Sequence, residues 1–401
     1  MLRQTAMAAN PTVRLKPHEG RRVRAGAPWI FSNEIQMDAS TKALAPGTLV
    51  NAMGDDGRCF GTGTFNPKSL IAIRLLDSAA DADIGEAFFA THLARALARR
   101  GAFYDEPYYR LVHAEGDFLP GLVIDRFGDT LVVQIGTAGM EALIDPLLAA
   151  LNGLLAPARV LLKNDAPARA LEGLDACVRV AKGSFDGPIA VHENGLRYFA
   201  AAQGGQKTGW YYDQRDNRAF MAKLARGKSV LDAFCYAGGF AVAAAKAGAA
   251  EATGIDSSAA ALALANDAAA ANGVGKTAKF VKADAMEELA RLAGQGERFD
   301  VVIADPPPFV RAKKDLEPGA KAYRKLARLA ASVTAESGFL FLASCSHNMP
   351  ADRFAFECAA GIARAGRRAA QLRHSGTGPD HPICPMLPET AYLKALVYAL
   401  D

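Results

Sequence analysis

The chain shows three successive patterns of hydrophobic and polar positions. Residues 12–76 contain short apolar runs separated by Gly and Pro, among them GTLVNAMG, RCFGTGTFN and SLIAIRLL. Short runs of this kind, bounded by turn residues, are typical of β-strands. We therefore predict a small β-barrel or sandwich in this part of the chain.

The second pattern, over residues 80–190, mixes helical and strand periodicity. It opens with the helical segment EAFFATHLARALARRGAF and continues with LPGLVIDRFGDTLVVQIG, in which FGD marks a hairpin turn. A helix over ALIDPLLAALNGLL and a strand over ARVLLKN follow. This order predicts a mixed α/β module.

From about residue 191 onward, apolar runs alternate with Ala-rich helical segments. Alternating strand and helix signals predict a parallel, doubly wound sheet. The run VVIA, within RFDVVIADPPPF, has no polar alternation, as expected of a central strand that is buried on both faces. The predicted fold class is therefore α/β.

Length and composition indicate the number of domains, and the distribution of charge shows a cluster of basic residues. The 401 residues are 50% hydrophobic and 22% charged, which fits two or three globular domains. The net charge of +4 is too small to define a partner. Five cationic residues crowd one stretch whose only acid is Glu19; they are Arg14, Lys16, Arg21, Arg22 and Arg24. This stretch is either a solvated loop or a surface that contacts phosphates.

The spacing of the cysteines and the length of the apolar runs argue against a zinc protein, a secreted protein and a membrane protein. None of the six cysteines forms a CxxC pair, so we expect no zinc site or other metal. The chain starts without an apolar signal core, and its apolar stretches are too short or too interrupted to span a bilayer. We expect a cytoplasmic protein with reduced thiols and no membrane partner. The sequence does not reveal the oligomeric state and leaves a homodimer open.

A βαβ unit in KSVLDAFCYAGGFAVAAAKAGAAEATGIDSS indicates a nucleotide-like cofactor. Gly238 and Gly239 in its turn let the backbone approach a ligand. Asp256, which closes the second strand, can hold both hydroxyls of a ribose. The GxGxxG pattern of a dinucleotide site is absent. Asp232 would repel a phosphate and attract an ammonium group, which favours S-adenosylmethionine (SAM) over NAD.

Two further acids follow predicted strands. Asp284 comes after AKFVK, where a carboxylate can accept the adenine amino group, and Asp305 comes after the run VVIA. In open α/β sheets, ligands bind beyond the carboxyl ends of the strands. The alternative is that each acid merely caps the following helix, which four acids at successive strand ends make harder to sustain.

Cys345 follows the fifth strand, GFLFLA, and should therefore stand beside Asp305. Neighbouring strands are about 4.8 Å apart, so both side chains can reach one ring. A thiolate that adds to carbon-6 of cytosine makes carbon-5 nucleophilic enough to attack a methyl donor, while a carboxyl group stabilises the developing charge. This pair predicts a cytosine-5 methyltransferase.

At this point the sequence resembles the RlmI-like SAM-dependent methyltransferases of bacterial large-subunit (23S) ribosomal RNA, which make 5-methylcytosine. LKPHEGRRVRAGAPWIFSNEI resembles the opening PUA domain of that family, and QKTGWYYDQRDNR, LDAFCYAGGFAV, ADPPPF, SCSHN and DHPICPMLPETAYLK resemble its catalytic signatures. The resemblance implies a PUA-like RNA-binding domain at 1–78, a central α/β domain at 79–190 and a Rossmann-like methyltransferase domain with a seven-stranded, mostly parallel sheet at 191–401.

The resemblance also completes the set of site residues. Cys345 and Asp305 would be catalytic. The cofactor would be held by Lys207, Thr208, Asp213, Asp232, Phe234, Gly238, Asp256, Ser257, Asp284, Ala285 and Asp305. Ribosomal RNA would contact Phe309, Arg21, Arg22 and Arg24. His381 and Pro382 would belong to a late signature to which the residues themselves assign no role.

Two departures from related enzymes stand out. Many RNA cytosine-5 methylases carry a second cysteine in the Asp-Pro segment, but DPPPF has none, which leaves the base for the carbon-5 proton to be named. His347 could serve, although a surface or hydrogen-bonding histidine is the commoner situation. Pro308 stands where relatives often carry Lys.

Two other functions stay open. Asp-Pro-Pro-aromatic also resembles the loop of methylases that act on an exocyclic amine or a purine ring nitrogen and need no thiol. A non-catalytic ribosome-assembly factor that keeps SAM as a structural ligand is the second alternative, although it would have no use for Cys345.

Overall fold

The structure is a computed structural model, and it describes residues 9–202 and 208–401. The chain divides into two compact units. The first unit takes the chain up to Phe185 together with Asp380–Pro388, and the second consists of Asp186–Pro379 and Glu389–Asp401. The domain boundaries predicted after residues 78 and 190 stay predictions beside this division.

The first sheet of unit 1 is built from the short strands near the start of the chain. Its elements are β1 (Thr12–Arg14), α1 (Arg21–Arg24), β2 (Trp29–Phe31), α2 (Ala39–Ala43), β3 (Thr48–Met53), β4 (Cys59–Phe65) and β5 (Ile71–Asp77). The strand order is β1-β3-β4-β5-β2, with β1 parallel to β3 and the other neighbours antiparallel. Val13, Ile30, Val50 and Phe65 pack in its core. The three predicted strands are confirmed as β3, β4 and β5.

The second sheet of unit 1 carries two long helices. Its elements are α3 (Glu86–Gly101), β6 (Tyr108–His113), β7 (Leu122–Phe127), β8 (Thr130–Ile135), α4 (Ala138–Ala142), α5 (Ile144–Leu155), β9 (Arg159–Asn164) and β10 (Cys177–Lys182). The order is β10-β9-β8-β7-β6, and only the β8–β9 pair is parallel. Phe89 and Leu93 of α3 share a core with Leu147 and Leu151 of α5. The predicted mixed α/β module and its FGD hairpin turn are confirmed.

Unit 2 contains a hairpin followed by alternating strands and helices. Its elements are β11 (Ile189–Glu193), β12 (Leu196–Ala200), α6 (Arg215–Lys223), β13 (Ser229–Ala233), α7 (Gly239–Lys246), β14 (Glu251–Asp256), α8 (Ala259–Ala271), β15 (Ala278–Lys282), α9 (Ala285–Gln295), β16 (Phe299–Ala304), α10 (Leu316–Val333), β17 (Thr334–Ser344), α11 (Ala351–Arg364), β18 (Ala369–Ser375) and β19 (Lys394–Leu400).

The large sheet of unit 2 has seven strands in the order β15-β14-β13-β16-β17-β19-β18. The first five are mutually parallel, and β19 runs antiparallel to both of its neighbours. The chain places β14 and β15 on one side of β13, then crosses to place β16 on the other. Such a reversal opens a crevice at the carboxyl ends of the strands, which is where Asp256, Asp284, Asp305 and Cys345 lie.

The hydrophobic pattern explains why these segments adopt these structures. The run of β16, Val301–Ala304, is buried throughout, because the strand is central and covered on both faces. Helix α10 buries Tyr323, Leu326, Ala327 and Ala330, which recur at the three- and four-residue spacing of one helical face. Ser258 and Asp284 begin α8 and α9 by accepting hydrogen bonds from the N–H groups of Ala261 and Glu287.

Within residues 9–202 and 208–401, no helix is both long enough and apolar enough to cross a bilayer.

Candidate active site

A cavity of about 510 Å³ opens at the carboxyl ends of the parallel strands in unit 2. Most of its wall comes from residues at or just beyond the ends of β13, β14, β15, β16 and β17. Of the predicted site residues, the lining includes Asp213, Phe234, Asp256, Ser257, Asp284, Ala285, Asp305 and Cys345. Residues distant in sequence thus meet around one space.

Asp305 and Cys345 follow neighbouring parallel strands. Ala304 at the end of β16 lies opposite Leu342 of β17, so Cys345 stands about two residues further out than Asp305. Both side chains line the cavity and both residues are partly exposed. Burial raises the pKa of Tyr211, and the negative charges of Asp305 and Cys345 raise it further, which places all three groups within electrostatic range. The predicted pairing of these two strand ends is confirmed.

A buried hydrogen-bond network supports the loop that carries Cys345. The Tyr323 hydroxyl accepts a hydrogen bond from Ser344 Oγ at 2.8 Å and shares another with Ser346 Oγ at 2.8 Å. Ser346 Oγ also accepts from Val310 N at 3.2 Å. The two residues that flank Cys345 are therefore fixed to α10 and to the segment that follows DPPPF.

Asp256 organises the glycine-containing turn after β13. Its two carboxylate oxygens accept hydrogen bonds from Tyr236 N at 3.0 Å and Ser258 N at 2.8 Å. Tyr236 and Phe234 both adopt positive φ, at 49° and 64°, a costly conformation for side-chain-bearing residues. The turn thereby exposes Phe234, Tyr236 and the Asp256 carboxylate to the same cavity.

Gly238 serves backbone geometry and packing. Its φ is +74°, and a Cβ at this position would lie 2.9 Å from Ala265 Cβ and 3.0 Å from the Phe280 ring. A side chain would therefore collide with α8 and β15, whereas the neighbouring Gly239 lines the cavity. A direct ligand contact at Gly238 stays a prediction.

Asp232 is buried at 1% exposure, and it does not belong to the described lining of the cavity. Its carboxylate accepts a hydrogen bond from Ala241 N in the first turn of α7, at 3.0 Å. Burial raises the pKa of Asp232 to about 8, and Asp305 and Asp256 add to the increase. The carboxylate therefore has a partner in α7 already, and its predicted contact with an ammonium group stays a prediction.

Three other predicted residues lie elsewhere or outside the description. Thr208 is fully buried and is not part of the described cavity wall. The Phe309 ring packs 4.8 Å from the ring of Tyr323, while Pro306, Pro307 and Pro308 before it line the cavity. Lys207 lies outside the described residues. Their roles stay predictions.

The arginine cluster lies on α1 of unit 1, and its three members differ in environment. Arg24 pairs with Asp55 at 3.2 Å and with Asp56 at 2.8 Å, so carboxylates already balance its charge. The Arg22 guanidinium lies 5.3 Å from the centroid of the Phe31 ring. Arg21 is exposed. An RNA contact is therefore easier to reconcile with Arg21 than with Arg24.

The late signature Asp380-His381-Pro382 is held by hydrogen bonds within unit 1. Asp380 and His381 are buried, and His381 Nδ1 lies 2.8 Å from Asp380 Oδ1. Arg100, itself paired with the buried Asp117, donates to the Asp380 carbonyl at 2.8 Å. Asp380 also accepts from Arg110 N at 3.0 Å. These contacts give the segment a structural role that spacing along the sequence does not reveal.

Tyr392 and Lys394 support the cavity wall, and the sequence analysis quoted them within a signature without assigning them a role. Tyr392 donates a hydrogen bond to Asp213 Oδ2 at 2.5 Å, and its ring stacks 5.1 Å from that of His347. Lys394 is buried at 5% exposure beside the Cys345 loop. One signal was available, because Lys394 opens the otherwise apolar strand KALVYAL.

The chemistry of the cavity wall fits SAM. Asp213, Asp256, Asp284 and Asp305 contribute carboxylates, whereas the guanidinium of Arg218 is held by Glu193 at 2.6 and 2.8 Å. Such a surface attracts ammonium and sulfonium cations and repels the pyrophosphate of a dinucleotide. Aromatic side chains such as Phe234 and Phe240 add apolar surface for an adenosine.

Two family models match the chain. A PUA-like domain matches residues 13–78, and an S-adenosylmethionine-dependent methyltransferase matches residues 173–399. The second match covers more than half of the chain and includes every residue that lines the cavity.

Similarity to known proteins extends over almost the full length. A protein from Shewanella denitrificans named ribosomal RNA large subunit methyltransferase I is 36% identical over 390 residues, which are 96% of this chain and 98% of that protein. A solved SAM-dependent methyltransferase-type structure from Streptococcus mutans matches with a TM-score of 0.81 at 20% identity, covering 97% of this chain and all of the other. The structure of SMU.776 complexed with SAH matches with a TM-score of 0.82 at 21% identity, covering 98% of this chain and 100% of that one.

The structural matches agree with the fold, and the sequence matches define the family. The carboxylate-lined cavity at the strand ends is therefore the candidate SAM site of this methyltransferase. This chain belongs to the S-adenosylmethionine-dependent methyltransferases, in the family of the proteins named ribosomal RNA large subunit methyltransferase I.

Proposed function

We propose that this protein methylates carbon-5 of a cytosine in large-subunit ribosomal RNA through a covalent adduct with Cys345. The RNA class is the one in the names of its relatives. The choice of carbon-5 depends on the thiol. Cys345 lines the same cavity as Asp305 and the carboxylates assigned to the cofactor, and this is the observation that carries the proposal.

SAM supplies an electrophilic methyl group when it is bound. On this proposal the Cys345 thiolate adds to carbon-6 of the base, and the electron pair displaced from the ring makes carbon-5 nucleophilic. Asp305 binds the ring nitrogen and the exocyclic amine, which stabilises the charge that develops. Once carbon-5 is methylated, loss of its proton expels the sulfur and restores the aromatic base.

The cofactor residues have distinct proposed roles. Asp256 would accept the ribose hydroxyls and Asp284 the adenine amino group, since both carboxylates border the cavity at the strands where these groups are usually bound. Asp213, which is already fixed by Tyr392, would face the cationic end of the molecule.

The base that takes the carbon-5 proton needs a separate candidate. His347 lies two residues after Cys345, is exposed, and places Nδ1 3.2 Å from the Glu389 carbonyl oxygen. An imidazole can accept a proton near neutral pH. We keep His347 as the candidate, positioned by its stacking on Tyr392.

A test separates thiol chemistry from the alternatives. Cys345→Ala should abolish methyl transfer from labelled SAM to ribosomal RNA while SAM binding, measured by calorimetry, persists. Cys177→Ala is the matched control, because Cys177 is an exposed cysteine that does not line the cavity as described. Wild-type enzyme should also form a denaturant-resistant complex with RNA that contains 5-fluorocytidine, since fluorine cannot leave as a proton does.

The other outcomes point to the rival functions. Full transfer by Cys345→Ala would favour methylation of an exocyclic amine or a purine ring nitrogen. No incorporation by the wild type into any ribosomal RNA substrate would favour a SAM-binding assembly factor. Mass spectrometry of ribosomal RNA fragments from cells with and without the gene then places the methyl on one base.

A further inference from the structure

Lys394 is a buried lysine in an apolar strand. It is the first residue of β19 and lies opposite Ser344 in the antiparallel pair with β17. Only 5% of it is exposed, and the strand continues with the buried residues Ala395, Leu396 and Val397. A lysine is rarely buried to this extent unless specific partners compensate the lost hydration.

The partners of Lys394 are in the loop that begins with Cys345. Its Nζ donates to the carbonyl oxygens of Ser346 at 2.6 Å and Met349 at 2.9 Å. Across the described part of the chain, no carboxylate forms an ion pair with Lys394. The ammonium group thus binds the backbone of this loop, while Tyr323 of α10 forms hydrogen bonds with the side chains of Ser344 and Ser346.

The charge of Lys394 also acts on Cys345. Burial lowers the pKa of Lys394 to about 8, and interaction with the charge of Cys345 opposes that decrease. The interaction is mutual, because a cation near a thiol favours the thiolate form.

The carboxylates of Asp305 and Asp213, which line the same cavity, act in the opposite direction, because a neighbouring negative charge disfavours a thiolate. Tyr211 and Tyr323 are also within electrostatic range of Cys345, but burial raises the pKa of both hydroxyls, so they are uncharged near neutral pH. Arg218 also reaches the cavity, but Glu193 binds its guanidinium through both oxygens. Among the described residues around this loop, Lys394 is therefore the cation best placed to balance a thiolate.

From this geometry we infer that Lys394 is a positioning residue for Cys345: it fixes the nucleophile loop and supplies the positive charge that stabilises the thiolate. The inference goes beyond the proposed function and rests on it only for the use made of the thiolate. Lys394 transfers no proton in this role, so no new covalent step is required.

Alkylation of the full-length protein measures the thiolate without RNA or methyl transfer. The rate of carbamidomethylation by iodoacetamide is measured between pH 5 and 10, and the Cys345 peptide is quantified by mass spectrometry. The exposed Cys177 in the same sample is the internal reference. In the wild type, we expect the pH midpoint for Cys345 to lie below that for Cys177.

Substitution of the lysine should shift this midpoint. Lys394→Met keeps the length of the side chain and removes its charge, so the Cys345 midpoint should rise by about one pH unit or more. Lys394→Arg should retain most of the wild-type midpoint, and Cys177 should react identically in all three proteins. Thermal melting and SAH binding establish that each variant is folded.

Two results would overturn the inference: a wild-type Cys345 midpoint at or above that of Cys177, or an unchanged midpoint in folded Lys394→Met. The first comparison needs no variant, so it decides even if Lys394→Met does not fold. Failure of the proposed function would instead be seen as absent methyl transfer with the alkylation shift intact.

Discussion

At the scale of single residues, Asp232 is an acid held where its negative charge is costly. Burial raises its pKa to about 8, so the carboxyl group is mostly protonated at neutral pH before any cation is bound. One of its oxygens accepts the Ala241 N–H and thereby helps to begin α7. The residue therefore contributes to the fold in its neutral form, and a cationic ligand nearby would favour its ionisation.

The stability of the protein should depend on pH through Asp232. In the unfolded chain its pKa is near the ordinary value of 3.8, and in the folded protein it is about 8. Between these values the unfolded state has lost a proton that the folded state keeps. This contribution to the free energy of unfolding therefore falls as pH rises from about 4 to 8, by at most about 1.4 kcal/mol per pH unit.

The variant Asp232→Asn isolates that dependence, because an amide oxygen can still accept the Ala241 N–H but cannot ionise. Denaturant unfolding of both proteins from pH 5 to 8 should show that Asp232→Asn gains stability relative to the wild type as pH rises. Parallel curves for the two proteins would contradict the raised pKa.

Strand-end patterns predicted which acids approach the site but not where each carboxyl points. Asp305 lies one residue beyond β16, whereas Asp232 lies inside β13, opposite Ile303, and is enclosed by the sheet and α7. Side chains alternate between the two faces of a strand, so one position decides between cavity and interior. The capping alternative is also partly realised, since Asp284 lines the cavity and caps α9.

At the scale of elements, helix α10 holds two loops of the site together through Tyr323. Its hydroxyl bonds Ser344 and Ser346 beside Cys345 and lies 3.4 Å from Phe309 N in the loop that follows Asp305. Loop positions depend on such contacts from neighbouring elements, because isolated loops lose considerable entropy on becoming ordered. The geometry of the proposed catalytic pair therefore depends on a residue in a neighbouring helix.

The substitution Tyr323→Phe should weaken both stability and activity. Two serine hydroxyls lose their shared partner in a buried place, which should cost about 1–3 kcal/mol of unfolding free energy. We expect kcat/KM for methyl transfer to fall at least about tenfold, because the nucleophile becomes less well oriented. Chemical denaturation and initial rates measure the two effects.

Tyr398→Phe is the matched control in the same hydrophobic core. The Tyr398 hydroxyl is buried and makes no hydrogen bond within the described residues. Its removal should leave stability unchanged or raise it by up to about 1 kcal/mol, and leave activity at the wild-type level. Equal losses in the two variants would mean that only packing, and not the hydroxyl network, matters at Tyr323.

Hydrophobic periodicity predicted the order of most helices and strands, but it did not predict the β11–β12 hairpin or strand β10. The hairpin of β11 and β12 was not predicted, although the dipeptide Asn194-Gly195 between two apolar runs favours such a turn. Both turn residues adopt positive φ, at 53° and 73°. Edge strand β10 was also missed, because its mostly exposed face gives a weak apolar signal.

At the scale of the whole molecule, the unit to which one segment belongs could not be predicted from local sequence patterns. Along the chain, Asp380–Pro388 comes after β18 and before β19 of the methyltransferase sheet, yet it belongs to the first unit. Its buried contacts join residues more than 260 positions apart, as in the hydrogen bonds from Arg100 and Arg110 to Asp380. Local patterns carry no information about such pairing, whereas the resemblance to a family identified the segment without explaining it.

The basic cluster on α1 gives the last test, which concerns RNA binding by the first unit. Arg21 is exposed, whereas Arg24 is paired with Asp55 and Asp56. If this face contacts phosphates, Arg21→Ala should weaken binding to large-subunit ribosomal RNA fragments and lower the slope of log K against log[salt] by about 1. Arg24→Ala should change the slope less, because its acids already neutralise it. Fluorescence anisotropy across a salt series measures both slopes, and an unchanged slope in Arg21→Ala would remove this face from the RNA interface.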